Sequence, residues 1–341
     1  MKKNTLTVSI VTWNSSLTID QCVGSILVQS YSDFELVVVD NNSRDDSITK
    51  IEMFRDSRIR VLKMMRNSGF CVGHNNAIRN SRSEFILLVN PDVILKHDFF
   101  ELALDVMHTA ENIGTVCGLL LQNEPDAPTC LVDSAGLMIG RDRRCLLRFH
   151  GHSLKGLTLG SCEVFGADGA LPMYRRTMVD DVSVNGEFFD ERFFAHKEDW
   201  DVAWRSRLYG WRTVFSPSCI AIHPRQFKPS NVGVRKTMTN EVKRDAVKNQ
   251  FLLIIKNEQW LNFIMDFPRI VARQMLVFIY LLFFETSSIS AYWHTIHLIP
   301  EMMKRRKEIQ SRRLISATDM RKWFQEAHRL RKYVNASHGK M

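Results

Sequence analysis

Short apolar runs alternate with amphipathic segments over the first 122 residues of the chain. The runs are rich in valine, isoleucine and leucine, which is typical of strands covered on both faces of a sheet. Between them, apolar residues return every three or four positions, as they do along one face of a helix. This alternation predicts an α/β fold with a parallel, doubly wound sheet and right-handed crossovers. The predicted strands cover residues 6–13, 34–40, 59–64, 84–90 and 113–122, and the helical segments cover 17–29, 45–54, 73–81 and 98–110.

The pattern is less regular between residues 123 and 224. Residues 123–160 combine loop-forming residues with a basic stretch that has no clear period, and we interpret them as a mobile or acceptor-facing excursion. A strand and then the start of a helix are predicted over 163–176. A further helix is predicted from about Glu198 to Gly210, since glycine is common just beyond a helix C-terminus, and two short strands should follow it.

The chain becomes strongly apolar and helical in pattern beyond about residue 240. Its uncharged run 274–284 is far shorter than the roughly 20 residues that a membrane-spanning helix needs. Trp260, Tyr280 and Trp293 are instead suited to a membrane interface. We therefore expect helices that lie on an anionic membrane surface, with a helical lid on the preceding domain or a dimer interface as the alternative.

The distribution of charge supports this division of the chain. The formal net charge is +9, and residues 301–332 alone carry eleven Lys or Arg against four Asp or Glu, or 11 − 4 = +7. Because most of the excess lies in this tail rather than on the α/β domain, we expect a membrane partner and no nucleic acid. Residues 1–240 are assigned to the α/β catalytic domain and residues 241–341 to a C-terminal helical region.

Composition indicates an intracellular globular protein. The 341 residues are 45% hydrophobic and 24% charged, which suits one large domain or two smaller ones. The seven cysteines are scattered and never spaced as CxxC, so neither a disulfide framework nor a thiolate zinc site is indicated. The N-terminal MKKNTLTVSIVTWN has a short alternating apolar stretch without a small-residue cleavage site, which favours a first strand over a signal peptide. We therefore expect a cytoplasmic location.

Polar clusters follow four of the predicted strands, at the edge where open α/β sheets bind ligands. Asp40 and Asn42 could accept from and donate to a nucleobase and ribose, and Gly69 would let the backbone approach a phosphate at a helix start. Neither GxGxxG nor the GxxxxGK[ST] loop is present, so nicotinamide and ATP-type sites lose their usual support. The clusters contain Thr12, Asn14, Asp40, Asn42, Asn67, Gly69, Asn90 and Asp92.

Asp92 is a candidate metal ligand. Pro91 ends the preceding strand and presents Asp92 in a turn. A diphosphate leaving group needs a hard divalent cation, which one or two protein carboxylates can hold together with phosphate oxygens. His223 is either a structural histidine at a strand end or a neutral imidazole ligand to the same cation.

Three acids, Glu198, Asp199 and Asp201, lie at the start of a predicted helix. Acids in a first helical turn commonly satisfy free backbone amides, which would make them structural. Crowded together, they would also raise one another's pKa, which suits a general base.

Taken together, these segments resemble family 2 glycosyltransferases of GT-A fold, and especially the bacterial rhamnosyltransferase-like branch that builds O-antigen and other surface polysaccharides. The resemblance covers roughly residues 5–225 and extends loosely into the basic tail. It is carried, in order, by VSIVTWN, VVVDNNSRDDS, NSGFCVGHNNAI, LLVNPDV, FFDERFFAHKEDWDVAWRSRLYGWRTVFSP and IAIH.

The resemblance implies a mixed, Rossmann-like sheet and a nucleotide diphosphate sugar as the donor. The donor would lie against Asp40 at its base, Thr12, Asn14 and Asn42 along the nucleoside, and Asn67, Gly69, Asn90 and Asp92 beside the sugar nucleotide.

The resemblance also implies a metal site and a catalytic base. Asp92 would be the remaining carboxylate of the family's DxD motif, with His223 completing the coordination of Mg²⁺ or Mn²⁺. Asn90 stands where many relatives carry the first Asp, so metal affinity would depend more on the diphosphate itself. Asp199, beside Glu198, would be the catalytic base.

The implied activity is inverting glycosyl transfer from a dTDP- or UDP-linked sugar, with rhamnose from dTDP-rhamnose as the leading donor. The acceptor would be a lipid-linked glycan, and the protein would be peripheral on the inner face of the bacterial plasma membrane, with a homo-oligomer left open. Two alternatives remain. A sugar nucleotidylyltransferase would have a Gly-rich, Arg-containing loop where TWNSSLTID stands, and a non-catalytic membrane-bound nucleotide-binding protein would not need the Glu198-Asp199 pair or His223.

Overall fold

The computed structural model describes residues 5–224, 238–330 and 333. The strands are β1 (Leu6–Thr12), β2 (Phe34–Asp40), β3 (Ile59–Lys63), β4 (Phe85–Val89), β5 (Ile94–Leu95), β6 (Ile113–Leu121), β7 (Val132–Ser134), β8 (Leu137–Gly140), β9 (Cys145–Leu147), β10 (Cys162–Glu163), β11 (Pro172–Arg175), β12 (Arg212–Ile222) and β13 (Phe324–Gln325). The α-helices are α1 (Ile19–Leu27), α2 (Ser47–Glu52), α3 (Gly69–Arg79), α4 (Phe99–His108), α5 (Arg176–Val182), α6 (Glu198–Leu208), α7 (Asn240–Asn257), α8 (Trp260–Phe284), α9 (Ser290–Arg312), α10 (Ala317–Arg321) and α11 (Ala327–Leu330).

Among the described residues, a ten-stranded sheet forms the centre of the protein. Eight strands follow the order β10-β12-β6-β11-β4-β1-β2-β3, β5 pairs with β12, and β7 pairs with β6. Strands β4, β1, β2 and β3 are parallel to one another, as the alternating sequence predicts. Helices α1 and α4 pack on the face that carries Val8 and Leu36, whereas α3 packs on the opposite face, with Ala77 against Val37 and Val39. Burial of each such aliphatic side chain contributes roughly 1.5–3 kcal/mol, so the two covered faces hold this part of the sheet together.

Strand β11 breaks the parallel pattern, because it lies between β4 and β6 and is antiparallel to both. The prediction of a wholly parallel sheet is therefore wrong, and the mixed sheet implied by the family resemblance is confirmed. A buried apolar run shows that a strand has both faces covered, but it does not show the direction of the strand.

The segment around α6 largely follows the prediction. The helix begins at Glu198, and Gly210 lies just beyond its end with φ +85°. The two short strands expected next are instead one strand, β12, whose pairing with β6 is interrupted between Phe215 and Ile220. Pro217 lies in this interruption, and its missing N–H explains why the sequence suggested a break.

The excursion over residues 123–160 contains regular structure that its sequence did not predict. Strand β7 pairs with β6, and β8 and β9 form an antiparallel pair. Strand β13, from the far end of the chain, adds to β8 in parallel. This structure depends on distant partners, which explains the lack of a clear local period.

The C-terminal helices pack closely on the α/β domain. The Lys256 ammonium of α7 lies 2.7 Å from Asp190 Oδ2 and 3.0 Å from Asp201 Oδ2, and all three side chains are buried. The Asn257 amide donates to the other oxygen of Asp201 at 2.8 Å. Helix α7 thus neutralises a charge of helix α6. The domain boundary at residue 240 stays a prediction.

Helix α8 extends well beyond the uncharged run at 274–284. By length and composition it could cross a membrane, because its most apolar stretch has a mean hydropathy of 1.6 and only 11% of that stretch is buried against the rest of the protein. The length of α8 therefore does not support the expectation that this region is too short to span a membrane.

Arg143 ties α8 to the excursion. Its guanidinium is fully buried, donates to Glu258, and lies 3.0 Å from Asp266 Oδ2 within α8. Its guanidinium carbon also lies 3.9 Å from the centre of the Phe324 ring. Asp266 is fully buried as well and pairs with Arg321 at 2.8 Å.

We expect Asp266→Ala to lower the free energy of unfolding by about 3 kcal/mol, because it removes a carboxylate partner of the buried Arg143. Urea unfolding of the full chain measures this. The control is Asp319→Ala, which breaks an exposed pair with Lys322 and should lower the free energy of unfolding far less than Asp266→Ala does. Equal losses in the two variants would contradict a stabilising role for the buried pair.

Candidate active site

The carboxyl ends of β1 and β2 bring two predicted polar clusters together. Thr12 and Asp40 are partners in the parallel register, and Asp40 Oδ1 accepts from the Ser43 N–H at 3.0 Å. Asn14 joins the two loops, since its Oδ1 accepts from the Arg44 N–H at 2.8 Å and its own N–H donates to the Ser43 hydroxyl at 3.0 Å. Asp40 is therefore held at the edge of the sheet, as a group that binds a nucleobase would be.

The other residues predicted for the nucleoside pocket differ in exposure. Thr12 is fully buried and lies beneath the surface of the edge, whereas Asn42 is exposed. Asn14 and Asn42 both have φ in the left-handed region, at +53° and +63°, which asparagine tolerates better than most residues. Their roles toward a nucleotide stay predictions.

The start of α3 is held by asparagines on both sides. Asn67 Oδ1 accepts from the Gly69 N–H at 3.0 Å. Asn41, buried after β2, donates to Gly69 O at 3.0 Å and accepts from the Ser68 N–H at 3.3 Å. Gly69 has φ +84°, and a Cβ there would lie 2.6 Å from the Phe194 ring, so only glycine fits. The Cys71 N–H also donates to Phe194 O, at 3.1 Å, so several N–H groups at this helix start already have partners within the protein. The roles of Asn67 and Gly69 beside a sugar nucleotide stay predictions.

The structure brings Asp92 and His223 together, with 3.4 Å between Asp92 Oδ1 and His223 Nε2. Asp92 follows Asn90 in a turn in which the Val93 N–H donates to Asn90 O at 3.1 Å. Two residues beyond Asp92, β5 pairs with the last residues of β12, directly before His223. The β5–β12 pairing is thus the reason that two residues so distant in sequence become neighbours.

The Asp92–His223 pair fits a divalent cation as part of its ligand set. A carboxylate oxygen and an imidazole nitrogen that face one another at 3.4 Å are two donors that one cation can share. Within residues 5–224, 238–330 and 333, no group of three or more His, Cys, Asp or Glu side chains could hold a metal ion. Phosphate oxygens of a donor would therefore have to complete the coordination.

The acids at the start of α6 lie in a buried cluster. Burial raises the pKa of Glu198 well above its usual value, and the neighbouring charges of Asp199 and Asp168 raise it further. Asp199 Oδ2 accepts from the Gly169 N–H at 3.1 Å, and its Oδ1 accepts from the Trp200 N–H at 2.9 Å. Hydrogen bonds of this kind stabilise an ionised carboxylate. The pair thus offers one neutral acid beside one carboxylate suited to take up a proton.

Asp201 does not belong to this reactive cluster. Burial alone would raise the pKa of Asp201, but the Arg205 guanidinium and the Lys256 ammonium lower it below its usual value. The prediction that all three acids raise one another's pKa is therefore wrong for Asp201, because its cationic partners come from within α6 and from α7.

The loop that leads into α6 is strained and held by α7. Phe194, His196 and Lys197 all have positive φ, at +60°, +72° and +69°. The fully buried Asn249 amide lies 2.8–2.9 Å from the carbonyls of Phe193, Ala195 and His196. Strained backbone of this kind persists only where the surrounding structure fixes it, and it is common at functional sites.

Two hydrogen bonds connect the turn that carries Asp92 to the acids at the start of α6. The Asn90 N–H donates to Ala170 O at 2.9 Å, and the adjacent Gly169 N–H donates to Asp199. The two parts of the predicted site therefore share the turn before β11.

The sequence matches the model of one protein family. The model of the family described as Glycosyl transferase family 2 matches residues 7–182, which is more than half of the chain. The chain belongs to this family.

Several bacterial glycosyltransferases are similar in sequence to this family 2 protein. The chain is 32% identical over 98 residues to glycosyltransferase GlyG of Streptococcus pneumoniae, covering 28% of this chain and 33% of that protein. It is 31% identical over 102 residues to the UDP-Glc:alpha-D-GlcNAc-diphosphoundecaprenol beta-1,3-glucosyltransferase WfgD of Escherichia coli, covering 29% and 40%. It is 30% identical over 125 residues to the putative teichuronic acid biosynthesis glycosyltransferase TuaG of Bacillus subtilis, covering 36% and 50%. The matches thus span half or less of each relative.

Solved structures share the fold at low sequence identity. TarS of S. aureus aligns with a TM-score of 0.53 at 15% identity, covering 89% of this chain and 50% of that one. The mannosyltransferase PcManGT of Pyrobaculum calidifontis, in complex with GDP-Man and Mn²⁺, aligns with a TM-score of 0.52 at 12% identity, covering 92% and 86%. These similarities confirm a GT-A-like mixed α/β fold for this family 2 protein.

The sequence pattern did not identify several residues that the structure places beside the candidate site. Asn41 stands beside Asp40 in the same polar run, and Asp168 lies in an Ala-Asp-Gly turn before β11, so both had a local signal. Asp133 and Asn249 had none, because one lies in the excursion without a period and the other in the middle of α7.

We expect the free energy of unfolding of Glu198→Gln, relative to that of the wild type, to be higher at about pH 8 than at about pH 5. The folded protein holds the Glu198 proton well above pH 4.5, whereas the unfolded chain releases it near that pH, so the wild type loses stability as the pH rises. The loss cannot exceed about 1.4 kcal/mol per pH unit. Urea unfolding of both proteins at the two pH values measures the change.

Glu124→Gln is the control, because Glu124 forms an exposed pair with Lys96. Its stability difference from the wild type should stay nearly constant between the two pH values. A Glu198→Gln difference that is equally constant would show that Glu198 is not held neutral.

Proposed function

We propose that this protein is an inverting glycosyltransferase that moves a sugar from a nucleotide diphosphate sugar to a hydroxyl group of a glycan. The observation that carries the proposal is that one turn of the chain is hydrogen-bonded both to the candidate metal site and to the candidate base. The turn that carries Asp92 is bonded to Ala170 through the Asn90 N–H, and the Asp199 carboxylate is bonded to the adjacent Gly169 N–H. Asp92 itself lies 3.4 Å from His223. Family membership supports the same conclusion, and no comparable observation favours nucleotidyl transfer or binding without catalysis.

In this mechanism, Asp199 acts as the general base. It removes the proton of an acceptor hydroxyl as that oxygen attacks the anomeric carbon, and the bond from this carbon to the diphosphate breaks. The diphosphate leaves with the electron pair of that bond. Glu198 keeps its own proton and so does not compete as a base. A divalent cation, Mg²⁺ or Mn²⁺, bound by Asp92 and His223 would neutralise charge on the departing diphosphate.

We expect Asp199→Asn to lower the turnover number by on the order of 10²–10⁴-fold while the donor dissociation constant stays within about threefold, because only the base is removed. Product formation is measured after a screen of dTDP-, UDP- and GDP-sugars, and nucleotide binding is measured by calorimetry with and without Mn²⁺.

Glu198→Gln is the matched control, since a neutral amide replaces a neutral acid in the same cluster. It should keep turnover within about tenfold of the wild type, far less than the loss expected for a removed base. A large loss in Glu198→Gln with normal turnover in Asp199→Asn would reverse the assignment. A wild-type chain that binds no nucleotide would leave glycosyl transfer without support.

The donor and acceptor are proposed from resemblance and from the named relatives. We keep rhamnose from dTDP-rhamnose as the leading donor. A relative is named for transfer to a diphosphoundecaprenol-linked sugar and another for teichuronic acid biosynthesis, which supports a lipid-linked glycan of a bacterial surface polysaccharide as the acceptor. Such an acceptor would be met at the inner face of the plasma membrane.

An exposed apolar face on α8 and α9 supports a location at the membrane. On the protein side of α8, the Asn262 amide donates to Ala317 O at 2.8 Å and Asp266 is buried in its ion pairs. These contacts attach one side of α8 to the protein, which supports a position of the helix along the protein surface. The opposite side exposes Trp260, Leu261, Ile264, Met265, Phe267, Val271, Met275, Leu276, Phe278, Ile279, Leu282, Phe283 and Phe284, and α9 adds Trp293, Ile296, Ile299 and Met303.

Basic residues border this apolar face. A cavity of about 220 Å³ opens between Trp260 and Met303 and is lined by Arg306, Lys307 and Arg313. The Arg306 guanidinium lies 4.8 Å from the centre of a Trp260 ring. An apolar helix face with adjacent cations fits an anionic lipid surface. We therefore propose that the protein is peripheral on the membrane through α8 and α9.

We expect the full chain to sediment with vesicles that contain phosphatidylglycerol, and less with pure phosphatidylcholine vesicles. Ile279→Glu combined with Phe283→Glu should reduce the bound fraction by at least about tenfold, because two charges enter the apolar face. Met65→Glu is the control, since Met65 is exposed on another part of the protein. A full chain that stays in solution at low salt, and elutes as a dimer that the double variant dissociates, would make this face a subunit interface instead.

A further inference from the structure

A buried carboxylate lies behind the proposed metal ligand. Asp133 belongs to β7, in the excursion that follows β6, and its side chain is fully buried. Its Oδ2 lies 2.8 Å from His223 Nδ1. Strand β6 explains the contact, since it pairs with β7 on one side and with β12 on the other, and the His223 N–H donates to Leu121 O at 2.7 Å.

The contact between Asp133 and His223 determines which ring nitrogen faces Asp92. A carboxylate only accepts hydrogen bonds, so the proton of the neutral imidazole lies on Nδ1, which donates to Asp133. The lone pair is then on Nε2, which lies 3.4 Å from Asp92 Oδ1. In the other tautomer, Nε2 would carry a hydrogen toward Asp92 and could not bind a cation.

A second histidine holds Asp133 from the other side. His150 Nδ1 donates to the backbone carbonyl of Asp133 at 2.7 Å and lies 3.5 Å from its Oδ1. His150 is buried as well. Asp133 therefore lies between two histidines, of which His223 also lies beside Asp92.

We propose that Asp133 is a positioning residue that keeps His223 in the tautomer able to bind a divalent cation beside Asp92. The proposal rests on the cation site of the proposed function. Asp133 itself touches neither the cation nor the donor. Residues that orient metal-binding histidines commonly change metal affinity by about 10–100-fold when replaced. A purely structural carboxylate would instead change stability and leave metal affinity unaltered.

The test measures Mn²⁺ affinity by electron paramagnetic resonance in the presence of saturating nucleoside diphosphate, on the full chain. Asp133→Asn keeps the shape of the side chain but removes its charge, and it should weaken Mn²⁺ binding by at least about tenfold. His223→Gln should weaken it as well. Combining the two changes should cause no further loss, because Asp133 acts through His223.

His150→Gln is the matched control, because it removes a hydrogen bond to the Asp133 backbone and leaves the Asp133 carboxylate on His223. It should keep Mn²⁺ affinity within about threefold of the wild type, whatever its effect on unfolding. Wild-type affinity in Asp133→Asn would overturn the positioning role. Failure of the wild type itself to bind Mn²⁺ with any of UDP, dTDP or GDP would instead overturn the cation site, and with it the premise of this proposal.

A measurement on the wild-type protein tests the proposal even if the Asp133→Asn variant does not fold. Long-range proton–nitrogen spectra of protein with ¹⁵N-labelled histidine report the tautomer of His223 without metal, once the signal is assigned by its loss in His223→Gln. We expect the proton on Nδ1. A proton on Nε2 alone would overturn the role of Asp133 and leave the proposed glycosyl transfer intact.

Discussion

The antiparallel strand β11 is the constraint on which the candidate site depends. Because it enters the sheet between β4 and β6, the turn before it lies against the end of β4. In that turn, Ala170 accepts from the Asn90 N–H and Gly169 donates to Asp199. The turn carrying Asp92 and the helix carrying Asp199 thus have one common support. Were β11 at an edge of the sheet, these two groups would be held by separate parts of the protein.

The C-terminal helices complete the support of the base. Buried charges are stable only when they are paired, and Lys256 of α7 pairs with both Asp190 and Asp201. On the same helix, Asn249 binds the carbonyls of the strained loop that precedes Glu198. The same C-terminal region therefore fixes the start of α6 on one side and exposes the apolar face of α8 on the other. In the proposed function, the region that contacts the membrane also holds the helix that carries the base.

The surroundings of Glu198, Asp199 and Asp201 give these neighbouring acids different chemical properties. Glu198 is held neutral by burial and by adjacent carboxylates, whereas the cations around Asp201 keep it ionised. Asp199 lies between them and accepts two backbone N–H groups. Opposite shifts of neighbouring acids are a common basis for assigning proton transfer, because only a group that can change its protonation state serves as acid or base. The third carboxylate, Asp168, adds charge without appearing in the acidic run itself.

The sequence by itself determined the elements β1 to β4 and α1 to α4, because buried strands and amphipathic helices each have a local period that needs no distant partner. It also indicated Asp40, Asp92 and Asp199 as candidate site residues, since each lies at the end of a strand or the start of a helix. The family resemblance implied a mixed sheet and a common site for Asp92 and His223. The tertiary structure decided that β11 is the strand that breaks the parallel pattern, that β5 and β12 bring Asp92 to His223, and that Asp133 lies behind that histidine. The reason is that strand direction and side-chain pairing depend on partners far away in the chain, and those partners leave no periodic pattern in the residues they join.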